Sequence, residues 1–364
     1  MAAALITGRS APDPVVGSMA VGSYATSPTR SRLGDYRVSV STPDITSRPS
    51  STAPNSPPSS GESSVLPPSG TQYRIAAGEH RATIAEVGAM VREYTVGGRD
   101  VFQPFREDEP APVFNAAVLL PWPNRLRDGT YTAGGERYQL PISEPDRMTA
   151  LHGLACWYRW TAVEQADDAV TLELALPAQQ KWPFQLVSRV RYALADGGLE
   201  VTLRTENVGT GTAPYGVGFH PWLSTGGAEL DACTVTLDAA AHVTVDDRLL
   251  PTGTEPVAGD YDLRETRSLR GLDLDDAWVD VLRDADGLSW ARLGCPDGHT
   301  PAVWMDESLD AWQVCTADHI PHHHRWALAA EPMSCVADAF NTGDRLVHLE
   351  PGDVHEVRWG ATLQ

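Results

Sequence analysis

Residues 186–207 read LVSRVRYALADGGLEVTLRTEN, and this stretch decides the fold class. Leu186, Val190, Tyr192 and Leu194 recur with period two on one face, while Arg189 and Arg191 fall on the other. The residues Ala195–Asp196–Gly197–Gly198 supply turn chemistry. The alternation then resumes, with Leu199, Val201 and Leu203 inward and Glu200, Thr202 and Arg204 outward. Two alternating runs joined by an Asp-Gly turn predict an antiparallel hairpin with one buried face. Working outward, 170–176 (VTLELAL), 234–240 (TVTLDAA), 242–247 (HVTVDD) and 354–360 (VHEVRWG) carry the same period. No segment sustains a capped apolar stripe of period 3.6. Short strands with turn residues between them, over residues 73–364, predict an all-β fold, a single large antiparallel β-sandwich.

Residues 1–72 differ in kind. The run 41–70, STPDITSRPSSTAPNSPPSSGESSVLPPSG, is rich in Ser, Thr, Pro and Gly and has no aromatic residue. Such a composition buries too little apolar area to offset the entropy of ordering, so 1–72 is expected to form a disordered tail. No stretch has the length and apolarity of a membrane span, and no basic flank precedes an apolar core as in a secretory signal.

The chain carries a formal net charge of −20. The tail holds five Arg against four acidic residues, so the acidity belongs entirely to 73–364. An acidic domain without a basic stripe repels polyanions, which argues against nucleic acid as a partner. The five cysteines (Cys156, Cys233, Cys295, Cys315, Cys335) are scattered and form no CxxC. That usage suits reduced thiols, and so a cytoplasmic protein. Cys156 follows His152 closely enough to raise a Cys–His nucleophile, but a small buried apolar residue is the expected reading.

Four stretches set ionisable residues among Gly, Pro and aromatics: 121–131 (PWPNRLRDGTY), 151–160 (LHGLACWYRW), 213–223 (APYGVGFHPWL) and 328–343 (LAAEPMSCVADAFNTG). A fifth, 271–280 (GLDLDDAWVD), holds closely spaced aspartates. Glu331 follows the apolar run WALAA; an unpaired carboxylate there is costly to bury, which favours a functional role. The run 319–325 (HIPHHHR) reads as a solvated loop, because consecutive histidines in a strand would point to alternate faces and not converge on a metal.

Taken together and in order, Asn124–Tyr131, Leu151–Gly153, His220–Trp222, Asp275–Trp278, Glu331 with Ala337–Ala339, and Leu349–Asp353 resemble the aldose 1-epimerase (galactose mutarotase) family over about residues 73–362. The run 87–102 is similar to that family's opening hairpin. The resemblance implies the galactose mutarotase-like supersandwich and a cofactor-free, metal-free enzyme that interconverts the α and β anomers of a free sugar. It implies Glu331 as general base and His220 as general acid to the ring oxygen, with His152 as a second histidine. Arg125, Asp275, Asn124 and Trp222 would bind the sugar; by the general logic of carbohydrate pockets, and apart from the resemblance, the aromatic sides of Trp157, Trp182 and Trp222 are expected to give it an apolar face. Asp276 competes with Asp275, since one residue of strand register exchanges their faces. The implied partner is a small sugar, taken up by a monomer or homodimer.

Two segments depart from the better-known members, Gly218–Trp222 (GFHPW) and Pro332–Ala339 (PMSCVADA), so the sugar itself is left open. Hexose-6-phosphate epimerisation, with Arg159 and Arg325 as phosphate donors, is one alternative; a non-catalytic sugar-binding protein and a glycoside hydrolase using Glu331 with Asp275 are others. The negative domain charge predicts an elevated His220 pKa.

Overall fold

The computed structural model describes residues 66–364. The hairpin forms as expected: Leu186–Ala195 pairs antiparallel with Gly198–Asn207, with Val190 opposite Leu203 and Tyr192 opposite Val201. All four of those side chains are fully buried. The hairpin sits inside a nine-stranded sheet and pairs onward with the C-terminal strand Val354–Leu363. An eight-stranded sheet includes, as consecutive neighbours, Asp275–Val281, Ala311–Cys315 and Leu328–Met333, followed by the short Gly218–Phe219 and Val118–Leu119. Every ladder is antiparallel. One apolar core joins the sheets: Val190, Leu203 and Val357 from the first pack in the same cluster as Phe219, Trp278, Trp312 and Leu328 from the second. This is the all-β sandwich that the period-two pattern predicted. The only α-helix among the described residues is the single turn Ala339–Thr342. No helix among them is long and apolar enough to cross a membrane.

Residues 1–65 of the expected tail lie outside the described residues. Residues 66–72 do not behave as tail. Ser69 is buried and its hydroxyl donates to the Glu107 carbonyl at 2.7 Å. Gln72 opens the strand Gln72–Ala77, and its side-chain oxygen accepts from Arg92 Nε at 2.8 Å. The folded unit thus reaches several residues further toward the N-terminus than the composition shift indicates.

The second sheet positions the chemistry. Cα register sets Gln313 opposite Glu331 on one side and opposite Ala277 on the other, with Asp275 two residues along on the same face. Residues on one face of adjacent strands converge. So Asp275, Gln313 and Glu331, far apart in the chain, share a single surface.

Candidate active site

A cavity of about 370 Å³ opens on that surface, lined among others by Asn124, Arg125, Glu144, His152, His220, Trp222, Asp275, His319 and Glu331. It brings together the three acid–base candidates, Glu331, His220 and His152, and the four sugar-binding candidates, Arg125, Asp275, Asn124 and Trp222.

His220 and His152 are held differently. His220 follows the strand Gly218–Phe219; its backbone N–H donates to Ala117 O at 3.2 Å and its carbonyl accepts from Ala116 at 2.8 Å. The glycine ahead of it is there for space. A Cβ on Gly218 would stand 2.8 Å from Pro123 Cβ and 3.0 Å from Met333 Cγ. The imidazole stacks on Trp222, with centroids 5.4 Å apart and planes at 27°, and Trp222 is itself fixed by its Nε1–H donating to Val113 O at 3.2 Å. His220 Nε2 lies 3.4 Å from Glu331 Oε1. Two further polar atoms there, His220 Nδ1 and Glu331 Oε2, are buried and have no partner.

His152 occupies the left-handed region (φ 62°), as does Asn124 (φ 55°). The pair interlocks: His152 N–H donates to Asn124 O at 2.9 Å, and Asn124 N–H donates to His152 Nδ1 at 3.2 Å. Because Nδ1 accepts, the neutral ring carries its proton on Nε2, so His152 offers a donor of fixed tautomer. Phe114, which the sequence reading missed, packs edge-on to His152 with centroids 4.6 Å apart.

Arg125 is buried between two carboxylates. Its Nε and Nη2 donate to Glu144 at 2.9 and 3.1 Å, and Nη2 also donates to Asp275 Oδ2 at 3.1 Å. Glu144 in turn accepts from Arg147 at 3.0 Å and from the Thr149 hydroxyl at 2.6 Å. Asp275 Oδ1 accepts from Gln313 at 2.8 Å. The choice between neighbouring aspartates falls on Asp275. Asp276 points to the opposite face, where it meets His242 Nε2 at 2.9 Å.

Charge follows from these surroundings. Burial drives the Glu331 carboxyl well above its ordinary range, and the nearby Asp275 carboxylate pushes it further. Burial lowers His220 to about 4, against the weaker opposing pull of Asp275. The expectation of an elevated His220 pKa is therefore wrong: loss of water around the ring outweighs the domain's negative charge. His152 is also driven well down, by burial first and then by His220 and Arg125. Burial opposes ionisation of Asp275, yet Arg125, His319 and Gln313 outweigh it and hold that carboxyl below its usual range. The site pairs a fixed carboxylate, Asp275, with a carboxyl and two imidazoles that are disposed to be neutral.

Other expectations sort cleanly. Trp182 is fully buried in the core beside Trp122 and Phe340, so it is a packing residue and not part of the sugar surface. Trp157 is 57% exposed and does not line the cavity; it packs against Phe114 from outside. Cys156 is the buried, inert thiol expected, pushed up to about 12 by burial. Arg159 pairs with Glu86, and Arg325 with Asp231 and Asp318; neither lines the cavity, which removes both proposed phosphate donors. The reading of 319–325 needs amendment at one residue. His319 reaches the cavity, with Nε2 at 3.5 Å from Asp275 Oδ2. Glu144 carried no sequence signal and His319 stood in a run read as a solvated loop, since each sits in an irregular segment where no period fixes direction.

The sandwich fold and the cavity fit the family that the motifs indicate. Residues 71–360 match the family model "Aldose 1-epimerase", and the chain belongs to that family. It is 34% identical over 299 residues to the uncharacterized protein YihR of Escherichia coli K12, covering 79% of this chain and 92% of that one. It is 30% identical over 162 residues to the galactose mutarotase of Mus musculus, a match covering 42% of this chain and 46% of that one. Among solved structures, the GalM/aldose epimerase homologue of Caenorhabditis elegans superposes with a TM-score of 0.72 at 19% identity, over 81% of this chain and 98% of that one. A galactose mutarotase-like protein of Clostridium acetobutylicum superposes with a TM-score of 0.71 at 19% identity, over 80% and 94% of the two chains. At such identities the structural likeness speaks for the fold.

Proposed function

We propose that this protein is an aldose 1-epimerase that interconverts the α and β anomers of a free aldose by opening and reclosing its ring. The observation that carries the reading is the buried His220–Glu331 contact of 3.4 Å, with an unpartnered atom on each side chain. Buried polar groups are rarely left without a partner, and a buried acid facing a buried base with a spare atom on each is consistent with a catalytic role.

The chemistry requires a proton to leave the C1 hydroxyl while another reaches the ring oxygen, followed by rotation about C1–C2 and the reverse transfers. In ring opening, the Glu331 carboxylate takes the hydroxyl proton and the His220 imidazolium protonates the ring oxygen. Glu331 is then a carboxylic acid and His220 a neutral imidazole. Closure returns both protons, on either face of the aldehyde. The pair carries one proton throughout. It alternates between an ion pair facing the closed ring and a neutral pair facing the open chain. Burial favours the neutral pair, the state that matches the intermediate. His152, held neutral with its proton on Nε2, stabilises the oxygen on which charge develops. Arg125, fixed by Glu144 and Asp275, and Asp275 itself orient the remaining hydroxyls.

Polarimetry of fresh α-anomers tests this directly. Accelerated mutarotation of at least one free aldose is the expected result, and no acceleration across hexoses and pentoses refutes the reading. The arginines that line the cavity are both paired, Arg125 with Glu144 and Asp275 and Arg147 with Glu144, which favours a free sugar over a phosphorylated one.

A further inference from the structure

The loop after the strand Ala311–Cys315 is held with unusual care for a surface segment. Thr316 N–H donates to Leu274 O at 2.9 Å, and the Thr316 hydroxyl accepts from Leu274 N–H at 2.9 Å. Arg325 Nη1 lies 2.9 Å from both carboxylate oxygens of Asp318, while its other nitrogens reach Asp231 and the backbone oxygen of Leu269. The next residue, His319, is partly exposed at the cavity mouth, and its Nε2 stands 3.5 Å from Asp275 Oδ2. That separation is too long for a good hydrogen bond. It suits a third group: a hydroxyl about 2.8 Å from each atom would accept from Nε2–H and donate to the carboxylate. The same oxygen, Oδ2, already accepts from Arg125 Nη2 at 3.1 Å and Oδ1 accepts from Gln313 at 2.8 Å, so Asp275 cannot swing away from that hydroxyl without breaking an ion pair.

We propose that His319 is a specificity-determining residue, which with Asp275 reads one ring hydroxyl of the sugar away from the anomeric carbon, and that the Asp318–Arg325 clamp sets its position. The proposal rests on the epimerase reading given above. A hydroxyl of the wrong configuration leaves the His319–Asp275 gap unbridged. Discrimination among epimeric aldoses then arises at a loop outside the strands that carry the acid–base pair.

The test compares the full-length wild-type chain with His319→Ala and His319→Gln. Mutarotation of fresh α-D-glucose, α-D-galactose and α-D-mannose is followed by polarimetry, and melting temperatures are recorded alongside. Alanine is expected to raise KM about five- to twentyfold for the preferred sugar, with kcat within about twofold, and to compress the ratios of kcat/KM among the three sugars. Glutamine, which keeps a donor, is expected to restore most of the loss. An equal loss for all three sugars, or an unchanged KM with a fallen kcat, overturns the proposal, because either marks a structural or catalytic role. Unchanged kinetics for His319→Ala overturn it too. Those outcomes leave the epimerase reading intact, whereas a wild-type chain inert toward every aldose refutes that reading itself.

Discussion

His220 Nε2 and Glu331 Oε1 face each other across 3.4 Å with no charged partner between them, each buried and each pushed toward its neutral form. Two groups of opposite function whose environments drive them to share one proton make an acid–base couple and not a salt bridge. An ion pair built for stability would show further hydrogen bonds to its spare atoms. Here no protein group bonds those atoms, Nδ1 and Oε2.

Removing either group is expected to slow turnover strongly. General acid–base catalysis contributes about 10²–10⁴-fold per group, so His220→Asn and Glu331→Gln should each reduce kcat by that order. The double variant should lose less than the product of the two, because both side chains act in one ring-opening step. Stopped polarimetry on the three proteins checks this. Wild-type turnover in His220→Asn would make His220 structural and transfer the acid role to His152.

The pH dependence follows from the shared proton. The couple is active with one proton bound and inactive with two or none. Adding the second proton is opposed by the burial that lowers His220 to about 4. Removing the last is opposed by the burial and the Asp275 charge that raise Glu331. The profile of kcat/KM should therefore be a broad bell whose acid limb falls only near pH 4 and whose alkaline limb reports the couple's last proton. An acid limb near 6.5, the value of an unperturbed histidine, would show that His220 is solvated in solution.

The sheets were legible because period two leaves a direct trace: Val190, Tyr192, Val201 and Leu203 alternate in sequence and all are buried. The residues that line the candidate site were picked out by motifs whose order the family shares. What escaped was set by direction and by solvent. Glu144 grips Arg125 from a loop, and His319 lines the cavity while its neighbours His322 and His323 do not. Trp182 carries the same aromatic label as Trp222, but packs in the core. The His220 shift was misjudged because net charge acts weakly through solvent while desolvation acts at the ring itself.

The N-terminal boundary predicts a stability difference between two truncations. A chain beginning at Leu66 retains the Ser69–Glu107 and Gln72–Arg92 hydrogen bonds; one beginning at Tyr73 loses both. Arg92 is buried, so the second loss strands part of a charged group. The shorter chain should be less stable by about 1–3 kcal/mol in denaturant unfolding. Coincident unfolding midpoints would mean that residues 66–72 add nothing.

Glu331→Gln should make the protein less active and more stable, increasingly so with rising pH. Glu331 has a folded pKa well above its unfolded value. Between those values the folded state holds a proton that the unfolded state has released. Its contribution is complete below the unfolded pKa and is lost as pH rises toward the folded one. In that window the wild type loses up to about 1.4 kcal/mol per pH unit from this group. Glutamine does not titrate, so its variant escapes the loss. His220 adds little to the slope above about pH 7.5, where its unfolded form is largely neutral and its folded form, lowered to about 4, is neutral too. Urea unfolding at intervals from pH 6.5 to 8 should show the Gln variant ahead, with a gap that widens until Glu331 titrates in the folded state. A constant gap, or a less stable variant, would mean that Glu331 is already ionised in the resting protein and that the couple stands as an ion pair before any sugar arrives.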